Sequence, residues 1–125
     1  MDRTFPGKSI LIIDDSSLIR KRLRIMLKSI DGIRSINAAG DYSSAMHLLS
    51  DPSPDIVLLD INLPGGSGID ILRDIRSRYP RIIVIMLTNQ SDDDYRAACK
   101  NLGARYFIDK SKEFEQVPAI IASLS

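Results

Sequence analysis

Residues 9–15 read SILIIDD, a short apolar run that ends in two aspartates. Two further stretches have the same form, DIVLLD at 55–60 and IIVIMLT at 82–88. An apolar run without polar alternation is typical of a strand covered on both faces, as in a parallel sheet. These three stretches therefore predict the centre of a parallel β-sheet.

The rest of the chain supplies two weaker strands, at 35–39 and 105–109, which we predict at opposite edges of the sheet. Five helical patterns separate or follow the strands. The first runs from Ser16 or Ser17 to about Ser29, the second from Asp41 to before Pro52, and the third from about Ile69 to before Pro80. The fourth runs from Ser91 to Asn101, with Gly103 as its left-handed cap, and the fifth covers 117–124 after a turn at 112–116. Five β-α units joined by right-handed crossovers predict an α/β fold, a doubly wound five-stranded parallel sheet, in a single domain over 1–125.

Composition fits a globular domain of 125 residues, with 44% hydrophobic residues, 26% charged residues and a formal charge of +1. A charge so near zero gives no reason to expect direct nucleic-acid binding. The first eight residues lack the apolar core of a signal peptide, and no apolar run is long enough to cross a bilayer. The one cysteine, Cys99, suits a reducing compartment. We therefore expect a cytoplasmic protein without membrane insertion.

Polar side chains stand where four of the predicted strands end. They are Asp14 and Asp15, Asp60, Thr88 and Lys110. Ligands bind beyond the carboxyl ends of the strands in such sheets, so these groups should converge at one edge. Asp and Thr also end strands as ordinary turn residues, which explains any one of them. A whole cluster of like charges is harder to explain structurally, because it destabilises the fold unless it is used.

The chemistry of this set points to a metal and a phosphoryl group. Three neighbouring carboxylates require a proton or a cation, and oxygen ligands with room for water suit Mg²⁺. A phosphoryl group at such a site would be neutralised by the metal, the Lys110 ammonium and the Thr88 hydroxyl. An ionised Asp60 is then a candidate nucleophile.

The ordered set of Asp14-Asp15, Asp60, Thr88 and Lys110 resembles the receiver domain of bacterial two-component response regulators, which is CheY-like. The likeness covers essentially the whole chain and extends to the loop after Asp60, through Asn62, Pro64 and Gly68. It implies a flavodoxin-like (βα)5 fold with strand order 2-1-3-4-5.

The resemblance also implies residue roles at the site. Asp60 resembles the phosphoacceptor, and Asp15 and the main-chain carbonyl of Asn62 resemble direct Mg²⁺ ligands. Asp14 resembles a residue that acts on the metal largely through water. Thr88 and Lys110 resemble the hydroxyl and the cation that contact the phosphoryl group.

Other positions concern switching and tuning. Phe107 stands where the family has a switch aromatic that moves inward on activation. Asn62, Asn89 and Gln90 occupy positions that tune the loss of the phosphoryl group. Ser111 departs from the pattern, because a proline usually follows the lysine.

The implied function is a signalling switch in a two-component phosphorelay, phosphorylated by a sensor histidine kinase or a histidine phosphotransfer protein, with an unknown output partner. It would catalyse only its own phosphorylation and dephosphorylation. The chain would be a single-domain regulator, a relay or the receiver part of a longer regulator. Two other classes of protein share part of this pattern. A haloacid-dehalogenase-like phosphatase needs a second Asp where Asn62 stands, and a flavodoxin-like cofactor binder needs a phosphate loop after the first strand.

The first predicted helix is basic, with Arg20, Lys21, Arg22, Arg24 and Lys28. A solvated outer face is the favoured interpretation. The alternative is a docking surface for the kinase, which the resemblance implies for this helix.

Overall fold

The computed structural model describes residues 7–50 and 52–124. Five parallel strands form the main sheet: β1 (Lys8–Ile13), β2 (Ile33–Ala39), β3 (Ile56–Leu59), β4 (Ile83–Thr88) and β5 (Tyr106–Asp109). Five helices connect or follow them: α1 (Ser17–Lys28), α2 (Tyr42–Ser50), α3 (Gly68–Arg78), α4 (Asp93–Asn101) and α5 (Val117–Leu124). The strand order is β2-β1-β3-β4-β5, which confirms the predicted doubly wound fold.

The central strands are apolar except at their ends, because helices cover both faces of the sheet. Side chains alternate between two buried clusters, so Leu11 and Val57 belong to one cluster and Ile10 and Ile56 to the other. β1 pairs in parallel with β2 on one side and with β3 on the other. Every residue of β3 is buried, as expected for the middle of such a sheet.

Side-chain caps begin the helices where polar residues precede apolar patterns. Ser16 accepts a hydrogen bond from the Ile19 main chain at 3.2 Å, so it caps α1. Asp41 accepts from the Ser44 main chain at 2.7 Å at the start of α2. The predicted start of α4 at Ser91 was wrong by one residue. Asp92 caps this helix, accepting from Tyr95 N at 3.0 Å.

The segments after β3 and β5 hold the irregular parts of the fold. Two strands of two residues each, Asn62–Leu63 and Gly66–Ser67, pair antiparallel before α3 and were not predicted. A 3-10 turn, Phe114–Gln116, leads into α5. Gly103 has φ 96°, the left-handed conformation predicted for the residue that follows α4.

In the described ranges, no helix has the length and apolar character needed to span a bilayer. The predicted absence of a signal peptide concerns mainly residues 1–6, which lie outside those ranges.

Candidate functional site

The carboxyl edge of the sheet carries the predicted polar set. Asp14 follows β1 directly, Asp60 follows β3, Thr88 ends β4 and Lys110 follows β5. Main-chain hydrogen bonds continue the ladders past the strand ends, from Asp60 N to Ile13 O at 2.9 Å and from Lys110 N to Thr88 O at 2.9 Å. The parallel sheet therefore fixes the backbone of each residue beside its neighbour.

The Lys110 ammonium lies between two buried carboxylates. Its Nζ is 2.6 Å from Asp14 Oδ2 and 2.8 Å from Asp60 Oδ2. The side chains are 11% exposed for Lys110, 3% for Asp14 and 7% for Asp60, so water screens these charges little. Burial alone would lower the pKa of Lys110, but the two carboxylate partners outweigh it and raise that pKa.

The Asp14 carboxyl has a raised pKa, and its burial is the main cause. This burial outweighs the lowering effect of Lys110 and of the Ser16 main-chain N–H, which donates to Asp14 Oδ1 at 2.9 Å. Asp14 Oδ2 contacts the ammonium as an ion pair. It is the one buried side-chain oxygen in the described part of the chain that accepts no hydrogen bond in favourable geometry. Such an oxygen calls for a further cation or donor.

The three acids Asp14, Asp15 and Asp60 form a cluster that fits a divalent cation. Each offers an oxygen, and these oxygens lie within 4.8 Å of one another. With all three carboxylates ionised, the single Lys110 ammonium leaves two negative charges uncompensated. Carboxylate oxygens around an under-satisfied buried oxygen are the ligand type that Mg²⁺ prefers. Asp15 is exposed, which leaves the cluster open to solvent on one side.

The loop after β3 depends on a glycine at Gly68. A methyl group on Gly68 would overlap the main-chain carbonyl of Asp60. The Gly68 N–H donates to Ile61 O at 2.7 Å, and the Ile61 N–H donates to Asp60 Oδ1 at 2.7 Å. The chain therefore turns back tightly against Asp60 and orients its carboxylate. A surface cavity of about 380 Å³ lies beside this turn, with Asp15, Asn62 and Tyr95 in its lining.

Thr88 ends β4, and the proposed tuning residues Asn89 and Gln90 follow it on the turn that leads to α4. The third proposed tuning residue, Asn62, lies in the segment after β3. Thr88 is fully buried, and its Oγ1 accepts a hydrogen bond from the Gln90 main chain at 3.2 Å. Gln90 is half-buried, whereas Asn62 and Asn89 are exposed. Asn89 Oδ1 accepts a hydrogen bond from the Ser111 hydroxyl at 3.2 Å, which links this turn to the residue after Lys110.

Phe107 lies on β5, half-buried and packed against one of the two core clusters. The Arg96 guanidinium stacks over its ring, with Cζ 4.6 Å from the centroid, and Arg96 Nη1 donates to Phe107 O at 3.3 Å. Arg96 was not predicted from the sequence, because a lone cation on α4 carries no signal of its partner on β5, eleven residues further along the chain.

Arg20 also differs from its predicted place on a solvated face. It is half-buried, and its Nη1 donates to the main-chain carbonyl of Asp14 at 2.8 Å. The remaining basic residues of α1, Lys21, Arg22, Arg24 and Lys28, are exposed as expected. Arg20 thus braces the backbone that presents Asp14.

Comparisons with known proteins agree with this fold. The family described as response regulator receiver domain matches residues 10–122. The phosphate regulon regulatory protein PhoB of Escherichia coli is 35% identical over 106 residues, covering 83% of this chain and 45% of PhoB. The signal receiver domain of a DNA-binding response regulator (merR) from Colwellia psychrerythraea is 31% identical, with a TM-score of 0.86 and coverage of 94% of this chain and 98% of that one.

A Mn²⁺-bound response regulator, Rcp1, is similar at 25% identity, with a TM-score of 0.79 and coverage of 94% of this chain and 91% of that one. The chain spans less than half the length of the first curated relatives it matches. The five-stranded parallel sheet with helices on both faces is the architecture of signal receiver domains. The chain belongs to the response regulator receiver domain family of two-component signalling.

Proposed function

We propose that Asp60 accepts a phosphoryl group from a phosphohistidine, carried by a sensor histidine kinase or a histidine phosphotransfer protein. The observation that carries this proposal is the pair of buried carboxylates, Asp14 and Asp60, bridged by one Lys110 ammonium at 2.6 and 2.8 Å. A buried carboxylate held beside a cation at the open edge of a sheet is well placed to act as a nucleophile.

The residues that would hold Mg²⁺ are Asp14, Asp15 and Asp60, together with the main-chain carbonyl of Asn62. The under-satisfied Asp14 Oδ2 and the spacing of the three carboxylates support this ligand set. The manganese bound by the related regulator Rcp1 supports it further. When bound, the metal would neutralise charge on the phosphoryl oxygens during transfer.

The chain's own residues perform the rest of the transfer. An Asp60 carboxylate oxygen forms a bond to phosphorus while the bond from phosphorus to the histidine nitrogen breaks, and the electron pair stays on that nitrogen. Lys110 exchanges its contact with Asp60 for one with the phosphoryl oxygens. The Ile61 N–H, which donates to Asp60 Oδ1 at 2.7 Å, holds the other carboxylate oxygen in place. Water later removes the phosphoryl group, and Asn62, Asn89 and Gln90 set how fast it does so.

The signal passes through Thr88 and Phe107. The Thr88 hydroxyl turns toward the phosphoryl group. Because Thr88 Oγ1 accepts a hydrogen bond from the Gln90 N–H at 3.2 Å, this rotation moves the turn between β4 and α4. Movement of that turn shifts α4, so that Arg96 and Phe107 rearrange on the face formed by α4, β5 and α5. A cytoplasmic output partner, or a further domain of a longer regulator, would read this surface. Receiver domains are signalling switches, so no turnover of metabolites is proposed.

The test is Mg²⁺-dependent labelling of Asp60 by acetyl phosphate, followed by mass spectrometry of the intact protein. We expect one added phosphoryl group on the unaltered chain and none on Asp60→Asn. Asp55→Asn is the matched control, since Asp55 is a partly buried aspartate that directly precedes β3, at the opposite edge of the sheet from Asp60. Labelling that persists in Asp60→Asn, or that ignores Mg²⁺, would overturn the proposal.

A further inference from the structure

Asp109, the residue before Lys110, is the most heavily hydrogen-bonded carboxylate at this edge of the sheet. Its Oδ2 accepts from the Ser91 hydroxyl at 2.6 Å. Its Oδ1 accepts from the Ser111 N–H at 2.9 Å and from the Lys112 N–H at 3.1 Å, and it shares the single proton of the Ser111 hydroxyl, 3.1 Å away, with Asn89 Oδ1. Asp109 is buried at 8% exposure, although it lies outside the predicted site.

These bonds hold the two residues that follow Lys110. The main-chain N–H groups of Ser111 and Lys112 both point at Asp109 Oδ1, so the chain folds around the carboxylate as it leaves β5. A proline after Lys110 would offer no N–H to this turn, whereas Ser111 offers both an N–H and a hydroxyl. The carboxylate thus restrains the turn that a proline ring would otherwise restrain.

Main-chain bonds around Asp109 hold the same segment from both sides. The Asp109 N–H donates to Glu113 Oε1 at 2.9 Å, and the Glu113 N–H donates to Asp109 O at 2.8 Å. The Lys110 N–H donates to Thr88 O at 2.9 Å. The backbone on both sides of Lys110 is therefore fixed, which limits where its ammonium can reach.

The bond to Ser91 gives Asp109 a second connection, to the turn that begins with Thr88. Ser91 precedes the Asp92 cap of α4 and is 18 residues from Asp109 along the chain. A carboxylate that served only its own turn would not need this long-range donor. The Ser91 hydroxyl, followed by the Ser111 and Lys112 groups, lowers the pKa of Asp109 to about 2, so the carboxylate stays ionised at neutral pH.

We propose that Asp109 is a positioning residue for phosphoryl transfer: it holds the Lys110 turn against the turn between β4 and α4 through Ser91. The proposal rests on the proposed function of Asp60. Its consequence is that losing the Asp109 carboxylate displaces the Lys110 ammonium from the phosphoryl oxygens while the acidic cluster stays intact. The loss of the carboxylate should therefore weaken binding of the phosphoryl group and leave the affinity for Mg²⁺ nearly unchanged.

The experiment compares two matched pairs of variants. Asp109→Asn and Ser91→Ala break the proposed device. Asp55→Asn and Ser9→Ala break a similar pair at the other edge of the sheet, where Asp55 Oδ2 accepts from Ser9 N at 2.8 Å and from Ser9 Oγ at 3.2 Å. For each variant, the affinities for Mg²⁺ alone and for beryllofluoride with Mg²⁺ are measured, together with the rate of labelling by acetyl phosphate.

We expect Asp109→Asn to lower the labelling rate and the beryllofluoride affinity roughly tenfold, and Mg²⁺ affinity by less than about twofold. Ser91→Ala keeps the turn bonds of Asp109 and should lower the same two quantities by about threefold. The Asp55 and Ser9 variants should leave both near the unaltered values. Equal loss of Mg²⁺ and beryllofluoride affinity, or equal effects in both pairs, would overturn the positioning role.

A double-mutant cycle tests whether Asp109 acts through Lys110. In a Lys110→Met background the lysine is gone, so adding Asp109→Asn should change the labelling rate little further. Independent, multiplying effects of the two substitutions would contradict the proposal. If the unaltered chain neither binds beryllofluoride nor takes up a phosphoryl group, the function proposed for Asp60 fails, and that result is distinct from a failure at Asp109.

Discussion

Asp55 at the amino edge of the sheet and the pair Asp14 and Asp60 at the carboxyl edge have their charges balanced in different ways. At the amino edge, Asp55 Oδ2 accepts two hydrogen bonds from Ser9, at 2.8 and 3.2 Å, and the Asp55 N–H donates to Ser9 O at 2.9 Å. At the carboxyl edge, Asp14 and Asp60 are more deeply buried and share one ammonium. A carboxylate whose oxygens are satisfied by its own chain stabilises a loop. Two buried carboxylates that share one ammonium keep a net negative charge, which favours the binding of a further cation.

The largest expected effect comes from removing the shared cation by Lys110→Met. Two buried carboxylates then lose their counter-charge, which should lower the free energy of unfolding by about 3 kcal/mol without Mg²⁺. Mg²⁺ should restore part of that loss, because it binds the same oxygens. Urea unfolding with and without Mg²⁺ measures both quantities.

Lys28→Met, at an exposed position of α1, is the control for the loss of a lysine. It should change the unfolding free energy by no more than about 0.5 kcal/mol. A Lys110→Met protein whose stability is unchanged and does not respond to Mg²⁺ would break the contrast between the two edges.

A smaller effect is expected from Gly68→Ala. The added methyl group overlaps the Asp60 carbonyl, so the turn after β3 must shift, and overpacking of this kind costs about 2 kcal/mol. Labelling of Asp60 by acetyl phosphate should slow as well, because the same turn orients its carboxylate. Gly66→Ala is the comparison, since its methyl group would meet the Tyr42 ring and not the backbone of Asp60. Similar labelling rates in the two variants would contradict this role of Gly68.

The smallest expected effect is a change in the pH dependence of stability. The folded pKa of Asp109 is about 2, below its ordinary value of 3.8. The unfolded chain therefore binds more protons between those values, so the stabilisation is present above pH 3.8 and is lost as the pH falls toward 2. Asp109→Asn should flatten the fall of the urea midpoint over this window. The raised pKa of Asp14 changes the stability in the opposite direction, but Asp14 is present in both the unaltered chain and the Asp109→Asn variant, so it does not affect the comparison. Parallel curves for the two proteins would refute the lowered pKa.

The sequence by itself determined the fold class and the edge of the sheet that carries the site. An unbroken apolar run such as 56–59 favours a strand buried between two layers of helices, which predicts a parallel sheet. In a parallel sheet the carboxyl ends of the strands meet at one edge. The sequence therefore predicts that Asp14, Asp60 and Lys110 lie close together. Helix ends followed from local chemistry, as at Ser16 and Gly103.

Tertiary structure alone decided which side chains support that set. The contacts of Arg20 with Asp14, Arg96 with Phe107 and Ser91 with Asp109 join residues on different elements. No local pattern reports these pairings, since each depends on how a helix or turn packs against a strand. The sequence therefore predicted the candidate reacting groups from the ends of buried strands, whereas the contacts of Lys110 with Asp14 and Asp60 and of Asp109 with Ser91 exist only in the folded chain.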